Sequence, residues 1–227
     1  MIISVHIPKT GGTTFRHFLT KSFDNEIVFD YQNSLNIPDS GSINNNFTEP
    51  QLIHTKRVLN IPKNIKVIHG HLIAEKYNNI YPRAKLITWF RDPLQIKVSS
   101  YFHLKRHKIY NNKYCKMLHE NNWNLEQFIK NTKINPLSNY LGDKILSDFN
   151  FIGITEMYKE SIDLFCRMFK IKNYNPIEMH DVNPRKKISD SYNISNQLNK
   201  YLKNELEEEI ILYEKAKNIL LSNLDRL

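Results

Sequence analysis

The residues best suited to chemistry follow the first apolar run of the chain, in a segment (6–15) that reads HIPKTGGTTF. Adjacent glycines, Gly11 and Gly12, let the backbone approach a ligand closely, and a helix that starts there points unpaired N–H groups at the same spot. Lys9 adds a full positive charge. Threonine hydroxyls add further donors, from Thr10, Thr13 and Thr14. The segment therefore predicts a site for a phosphate-like anion, and a glycine turn with a capping threonine is the simpler alternative.

A second group of residues follows the apolar run 85–90. Arg91 comes first, and Asp92-Pro93 then suits the start of a helix, because Asp is a good N-cap and Pro fits the first helical position. Ser99 lies on that helix, eight residues after Arg91. An arginine fork binds phosphate oxygens in pairs, so Arg91 is a candidate anion ligand. A surface arginine beside a capped helix is the alternative, and the charge of Arg91 disfavours a magnesium site at Asp92.

The triplet His69-Gly70-His71 ends another apolar run. A hydroxyl that attacks an electrophile must lose its proton as the new bond forms, and histidine is the usual base near neutral pH. The triplet therefore predicts a general base. A structural histidine is one alternative, and a two-histidine metal site is another, although no third ligand is recognisable in the sequence.

All three motifs follow short apolar runs that read as buried strands, predicted over 2–7, 66–69, 85–90 and 151–155. Helices are predicted from near Thr13, from Asp92-Pro93, over 162–169 and over one long C-terminal segment that includes 202–220. Residues 30–64 read as long loops with a short helix near 50–59. Strands that alternate with helices indicate an α/β three-layer sandwich, with a central parallel sheet flanked by helices. Such sheets bind ligands at the carboxyl ends of their strands, where the motifs lie.

Composition narrows the class of protein. The chain has 227 residues, which suits a single domain over 1–227. No apolar run reaches the roughly 18 residues of a membrane span, and no signal peptide is visible, so we expect a cytoplasmic protein. Cys115 and Cys166 are then idle thiols in a reducing compartment. The formal net charge of +9 predicts an anionic partner.

The loop and the Arg91 motif together resemble those of sulfotransferases that use 3′-phosphoadenosine 5′-phosphosulfate (PAPS). The loop differs from the NTPase P-loop, GxxxxGK[ST], because its lysine precedes the glycines. The resemblance implies that Lys9 contacts the bridging oxygen between phosphate and sulfate, with the rest of the loop (10–14) around the phosphosulfate. It also implies that Arg91 and Ser99 bind the 3′-phosphate, and that the chain has the P-loop NTPase-like sulfotransferase fold.

The triplet narrows the resemblance to the heparan sulfate 2-O-sulfotransferase-like branch of carbohydrate sulfotransferases, which has a His-Gly-His at the same place in the order. The resemblance implies that His71 is the base and that His69 orients it or contacts the substrate. A basic loop of that branch closes over the nucleotide, and the corresponding residues here are Asn183, Arg185, Lys186 and Lys187. One departure is Ile96, where related sequences often have arginine, with Lys97 next in this chain.

These motifs predict an enzyme that transfers a sulfuryl group from PAPS to a hydroxyl of a saccharide, in a glycan or a glycolipid, by in-line attack. The product would be 3′,5′-adenosine bisphosphate (PAP), and no metal or specific nucleic acid would take part. Two alternatives stay open: a P-loop kinase-like phosphotransferase, and a non-enzymatic protein that binds an anionic polymer. The basic segment 97–116 either attracts an acidic acceptor or is a solvated helix face.

Overall fold

A sheet of five parallel strands forms the centre of the described structure, a computed structural model that describes residues 1–31, 61–106, 112–132, 136–172 and 191–226. The strands are β1 (Ile2–Val5), β2 (Ile27–Asp30), β3 (Val67–Gly70), β4 (Lys85–Phe90) and β5 (Phe151–Ile154). Their order is β2-β3-β1-β4-β5, so β1 lies in the middle. Because a parallel sheet is covered on both faces, the strands are almost entirely buried, as their apolar sequences predict.

The register of the sheet brings the carboxyl ends of its strands level. Val5 at the end of β1 pairs with Gly70 of β3 on one side and with Thr88 of β4 on the other. Asp30 at the end of β2 also pairs with Gly70. The residues that follow β1, β2, β3 and β4 therefore meet at one edge of the sheet, which is where the sequence motifs lie.

Helices cover the sheet, which confirms the predicted α/β sandwich. The described α-helices are α1 (Gly12–Phe23), α2 (Pro93–Arg106), α3 (Lys113–Glu120), α4 (Leu125–Asn131), α5 (Pro136–Leu141), α6 (Tyr158–Phe169), α7 (Asn196–Glu205) and α8 (Glu207–Leu224). Phe15, Phe18 and Leu19 of α1 join the main core with the strands. A second apolar cluster, which includes Leu94, Leu118 and Leu202, joins α2 to α3, α4 and α7.

The start of α2 forms as its sequence predicts. Asp92 Oδ1 accepts a hydrogen bond of 2.8 Å from the N–H of Leu94, which satisfies one of the unpaired donors of the first turn. Pro93 is the first residue of the helix. The helix therefore starts directly after Arg91, and this fixes the position of that arginine at the end of β4.

Three elements depart from the sequence-based prediction or lie beyond its test. Strand β2 (Ile27–Asp30) was not predicted. The long C-terminal helix is wrong in one respect, since it consists of α7 and α8, which are separated at Leu206 (φ −116°). The helix predicted near 50–59 lies outside the described residues, as do most of the loop residues predicted over 30–64. Both cysteines are buried, and neither forms a disulfide.

Gly70 lets β2 and β3 approach closely at the functional edge. A Cβ on Gly70 would lie 2.0 Å from the carbonyl oxygen of Asp30. The Asp30 carboxylate forms an ion pair with Lys76 at 2.7 Å, and both side chains are 1% exposed. The Tyr77 hydroxyl also donates to this carboxylate over 2.9 Å. The glycine and the buried ion pair together fasten the end of β2 to the chain that follows β3.

Candidate active site

The loop after β1, predicted to bind an anion, contains two residues in the left-handed conformation. Gly11 adopts the left-handed conformation (φ 83°) as the N-cap of α1, a conformation that glycine adopts at little cost. Lys9 is also left-handed (φ 67°), which is uncommon for a residue with a side chain and recurs at functional sites. The first N–H groups of α1 then lack partners within the helix. The predicted combination of loop, lysine and helix start is therefore present.

The hydroxyl of Thr10, a predicted ligand donor, forms a hydrogen bond within the loop. Its side chain is fully buried, and its hydroxyl donates to the carbonyl of Ile7 over 2.8 Å. The hydroxyl of Thr155 lies 2.7 Å from the carbonyl of Thr10 and 3.0 Å from that of Phe90. Both threonine hydroxyls thus stabilise the loop from within. Of the other two predicted threonines, Thr13 is half-buried and Thr14 is buried.

Arg91 supports the loop from the end of β4. Its Nη1 donates to the carbonyl of Lys9 over 3.0 Å, and the side chain is buried. Its Nε lies 3.8 Å from Glu156 Oε1, which is too long for a hydrogen bond but close enough for charge attraction. Burial lowers the pKa of Arg91, while Glu156 and nearby groups oppose that effect. Arg91 therefore fixes the unusual backbone of Lys9 in addition to any role toward a ligand.

Glu156, directly after β5, holds the groups around Arg91 in place. Its Oε1 accepts a hydrogen bond of 3.2 Å from the N–H of Asp92, and its Oε2 accepts one of 3.1 Å from the Tyr213 hydroxyl. Burial raises the pKa of Glu156, and the charge of Arg91 counteracts that shift. The Glu156 carboxylate thus joins the start of α2 to α8 beside the Arg91 guanidinium.

Three histidines and a tyrosine form a cluster at the ends of β1, β2 and β3. The ring centroid of His6 is 4.6 Å from that of His71 and 5.1 Å from that of His69, with which it stacks. Tyr31 contacts all three rings, at 4.9–5.9 Å. His69 Nδ1 lies 2.8 Å from Ser4 Oγ, and the ring is 1% exposed. The half-buried ring of His71 is more accessible, as its predicted role as base requires.

The cluster keeps its histidines uncharged at neutral pH. Burial lowers the pKa of His69 from 6.5 to about 3 and that of His71 to about 4. Burial also lowers the pKa of His6 well below its usual value, and proton uptake by His71 or His69 would lower it further. The charge of Arg16, on the first turns of α1, acts in the same direction on all three rings. The His71 imidazole is therefore neutral at neutral pH, and one of its ring nitrogens carries no proton.

These shifts predict that the protein loses stability as the pH falls from 6.5 toward 4. In that window the unfolded chain binds protons on histidines that stay neutral in the folded chain. Each such histidine contributes up to about 1.4 kcal/mol per pH unit to the free energy of unfolding. Urea unfolding at a series of pH values measures this slope, and His69→Gln should reduce it by one histidine's share. An unchanged slope in that variant would contradict the assignment.

The remaining predicted residues fall into two groups. Ser99 lies on α2 and is buried, two helical turns beyond Arg91. The predicted nucleotide-covering residues lie outside the described part of the chain; these are Asn183, Arg185, Lys186 and Lys187. Tyr192 is held against α2, because Gln95 Nε2 donates to its carbonyl over 3.4 Å and Gln95 Oε1 accepts from its N–H over 2.5 Å. The Arg91 guanidinium lies 6.0 Å from the Tyr192 ring centroid.

The basic segment 97–116 is not a uniform solvated face. Lys97 is buried (5% exposed) and donates to the carbonyl of Thr132, so it does not replace an arginine at Ile96 on the helix surface. Burial lowers the pKa of Lys97 to about 8, and Glu205 opposes that shift. Lys105 donates to the Tyr101 hydroxyl over 2.9 Å. Among the described residues of this segment, several cations are therefore engaged with neighbouring side chains or backbone.

Among the described residues, no group of three or more His, Cys, Asp or Glu side chains has an arrangement suited to a metal ion, although three histidines meet at this edge. None of the described helices has the length and apolar character needed to cross a bilayer.

Comparison with known proteins yields a match in structure and none in sequence. No protein-family model and no curated protein sequence matches the chain. A crystal structure of a sulfotransferase from Alicyclobacillus acidocaldarius superposes with a TM-score of 0.51 and covers 94% of each chain at 13% identity. This chain has a sulfotransferase fold. The two structures share this fold over nearly their full lengths. Because only 13% of the aligned residues are identical, the similarity concerns the fold alone.

The sulfotransferase fold brings together residues that sequence reasoning missed. His6 and Tyr31 join the predicted histidines, Arg16 adds charge beside them, and Glu156 orients Arg91. His6 is the first residue of the segment 6–15, and its position three residues before Lys9 could have indicated that it lies near the site. Tyr31 carried no such signal, because its strand was not predicted.

Proposed function

We propose that this chain is a PAPS-dependent sulfotransferase that transfers a sulfuryl group to a hydroxyl of an acceptor. The observation that carries the proposal is the convergence of three unlike groups at one carboxyl edge: the Lys9 loop, Arg91 and His71. The sulfotransferase fold of the chain supports it, since ligands of such sheets bind at this edge. An anion site beside a neutral imidazole suits transfer of a charged group to a hydroxyl.

In this proposal the donor lies across the carboxyl ends of β1 and β4. The loop amides and Lys9 bind the sulfate end, and Arg91 and Ser99 bind the 3′-phosphate. Lys9 stabilises the charge that grows on the leaving phosphate as the sulfur–oxygen bond breaks. Support comes from the hydrogen bond between Arg91 Nη1 and the carbonyl of Lys9, which links the two halves of the donor site over 3.0 Å.

The acceptor hydroxyl is deprotonated by His71 as its oxygen attacks the sulfur in line with the leaving phosphate. The position of the half-buried His71 directly after β3 supports this role, and its lowered pKa leaves the imidazole neutral, with a free nitrogen, from neutral pH down to about 4. His69 is a neighbour that restricts the base, because its ring is buried and its Nδ1 is bonded to Ser4. A saccharide acceptor, in a glycan or a glycolipid, is inferred from the His69-Gly70-His71 triplet and its likeness to the heparan sulfate 2-O-sulfotransferase-like branch.

A panel of ligands separates the proposal from its rivals. We expect PAP to raise the melting temperature, and ATP with magnesium or an oligonucleotide to have little effect. At 100 times its Kd, a ligand that binds only the folded chain adds about 2.7 kcal/mol of stability. Stabilisation by ATP with magnesium but not by PAP would favour a phosphotransferase, and a response to the oligonucleotide alone would favour a polymer-binding protein.

Arg91→Ala should weaken PAP binding by about 10- to 100-fold, the range for loss of hydrogen bonds to a charged group. The variant should weaken AMP binding less, because AMP lacks the 3′-phosphate. Calorimetric titration of both nucleotides measures the difference. Arg106→Ala is the matched control, since Arg106 is an exposed arginine in the last turn of α2, the helix that begins two residues after Arg91. Equal losses for PAP and AMP would show that Arg91 acts through the Lys9 backbone instead.

A further inference from the structure

His6 lies between the histidine cluster and the loop that contains Lys9, and it has no role in the proposed transfer reaction. It follows β1 directly, and its N–H donates to the carbonyl of Gly70 over 2.8 Å, so its backbone extends the ladder between β1 and β3. Its ring contacts His71 on one side, and its chain runs into the loop that contains Lys9. A group in this position can act on a ligand held between the base and the loop.

The two ring nitrogens of His6 have different surroundings. Nδ1 lies 2.5 Å from the Tyr31 hydroxyl. Nε2 faces the start of α1, because a Cβ on Gly12 would lie only 1.9 Å from it. No residue in the described part of the chain forms a hydrogen bond with Nε2. Glycine at position 12 therefore leaves room for an imidazole nitrogen beside the first amides of the helix, where an anion would bind.

The protonation states of Tyr31 and His6 determine whether Nε2 of His6 donates or accepts a hydrogen bond. Burial raises the pKa of Tyr31, so the phenol keeps its proton, and burial lowers the pKa of His6, so the imidazole is neutral. A neutral imidazole has one N–H and one bare nitrogen. If the phenol donates to Nδ1, the single proton of the ring is on Nε2 and points at the loop. Sulfuryl oxygens carry no hydrogen and require such a donor.

We propose that Tyr31 holds His6 in the Nε2–H tautomer, and that His6 donates a hydrogen bond from Nε2 to a non-bridging oxygen of the transferred sulfuryl group. The inference rests on the proposed function. In the transfer, the acceptor oxygen bonds to sulfur, the bond from sulfur to the bridging phosphate oxygen breaks, the acceptor proton passes to His71, and PAP leaves. His6 keeps its own proton throughout. His6 is thus a catalytic residue and Tyr31 a positioning residue.

The hydrogen bond from His6 to the sulfuryl group can be tested without an acceptor by comparing the affinities for PAPS and PAP, because PAP lacks the sulfuryl group. We expect His6→Ala to lower PAPS affinity by about tenfold and to leave PAP affinity unchanged. His6→Gln should restore most of the loss, since its amide can place an N–H near the position of Nε2. His119→Ala, at a histidine bonded to the carbonyl of Leu104, is the control and should change neither affinity.

Tyr31→Phe removes one oxygen and tests the tautomer, even if His6→Ala fails to fold. Nuclear magnetic resonance of ¹⁵N-labelled histidine distinguishes the two neutral tautomers by their nitrogen shifts. The wild type should show Nε2–H at His6, and Tyr31→Phe should show a mixture together with a lower PAPS affinity. An Nδ1–H tautomer in the wild type would overturn the proposal.

The affinities of the variants for PAPS and PAP can also overturn the proposed role of His6. Unchanged PAPS affinity in both His6→Ala and Tyr31→Phe would overturn the contact with the sulfuryl group. Equal losses for PAPS and PAP would also overturn it, because they would show that His6 only shapes the loop. If the wild type binds neither nucleotide, the proposed function fails and this inference fails with it.

Discussion

His71→Ala should lower turnover by about 100- to 10,000-fold, the usual contribution of a general base. PAP should bind the variant nearly as well as the wild type, because His71 contacts the acceptor side of the site in our account. Turnover is measured as PAP release from PAPS with an acceptor found by screening with labelled donor. The wild-type kcat/KM should also keep its value well below pH 6.5, since the imidazole stays neutral to about pH 4 in the free protein.

Two comparisons make the test of the base specific. His119→Ala removes a histidine whose Nε2 bonds the carbonyl of Leu104, in the cluster around α2 and α3, and it should leave turnover per folded molecule unchanged. His69→Ala should have a smaller effect than His71→Ala, because the buried ring of His69 acts through its neighbours. Normal turnover in His71→Ala would remove it as the base, and a collapse in His69→Ala alone would exchange their roles.

Lys76→Met should lower the free energy of unfolding by about 3–5 kcal/mol, the cost of leaving one member of a buried ion pair without its partner. The Asp30 carboxylate would stay buried, with the Tyr77 hydroxyl still bonded to it. The effect bears on the site because Asp30 precedes Tyr31 and pairs with Gly70, between the two predicted histidines. Urea unfolding followed by circular dichroism measures the loss.

Lys66→Met is the matched control. Lys66 also forms an ion pair of 2.7 Å, with Glu26, but the two side chains are 62% and 38% exposed. A surface pair of this kind contributes about 1 kcal/mol or less. Similar small losses in the two variants would show that the Asp30–Lys76 pair does not hold the edge of the sheet together.

The parts of the site that sequence reasoning predicted lie in contiguous motifs. Arg91 and His71 each follow a strand directly, and Lys9 and Gly11 lie in the short loop between β1 and α1. The strand, the turn and the helix start are local features. The order of the motifs along a parallel α/β chain then predicts that they share one edge. The placement of Arg91 against the carbonyl of Lys9 bears out that expectation, across 82 positions of sequence.

The parts that escaped prediction depend on contacts between distant segments. His6 and Tyr31 are 25 positions apart, and they meet because β3 pairs with β1 on one side and with β2 on the other. Lys97 reads as part of a basic surface, yet it is buried against Thr132, 35 positions away, because α4 packs on α2. Neither contact follows from periodicity, since both depend on which elements become neighbours in three dimensions.

The contribution of the 3′-phosphate to nucleotide affinity is the most direct test of the claim that this chain uses PAPS. PAP and AMP differ only in that group, so calorimetric titration of the wild-type protein with each nucleotide isolates its contribution. We predict that PAP binds at least about tenfold more tightly than AMP, because Arg91 and Ser99 are placed to bind the additional phosphate. Equal affinity for the two nucleotides, or binding of neither, would contradict a PAPS-dependent sulfotransferase.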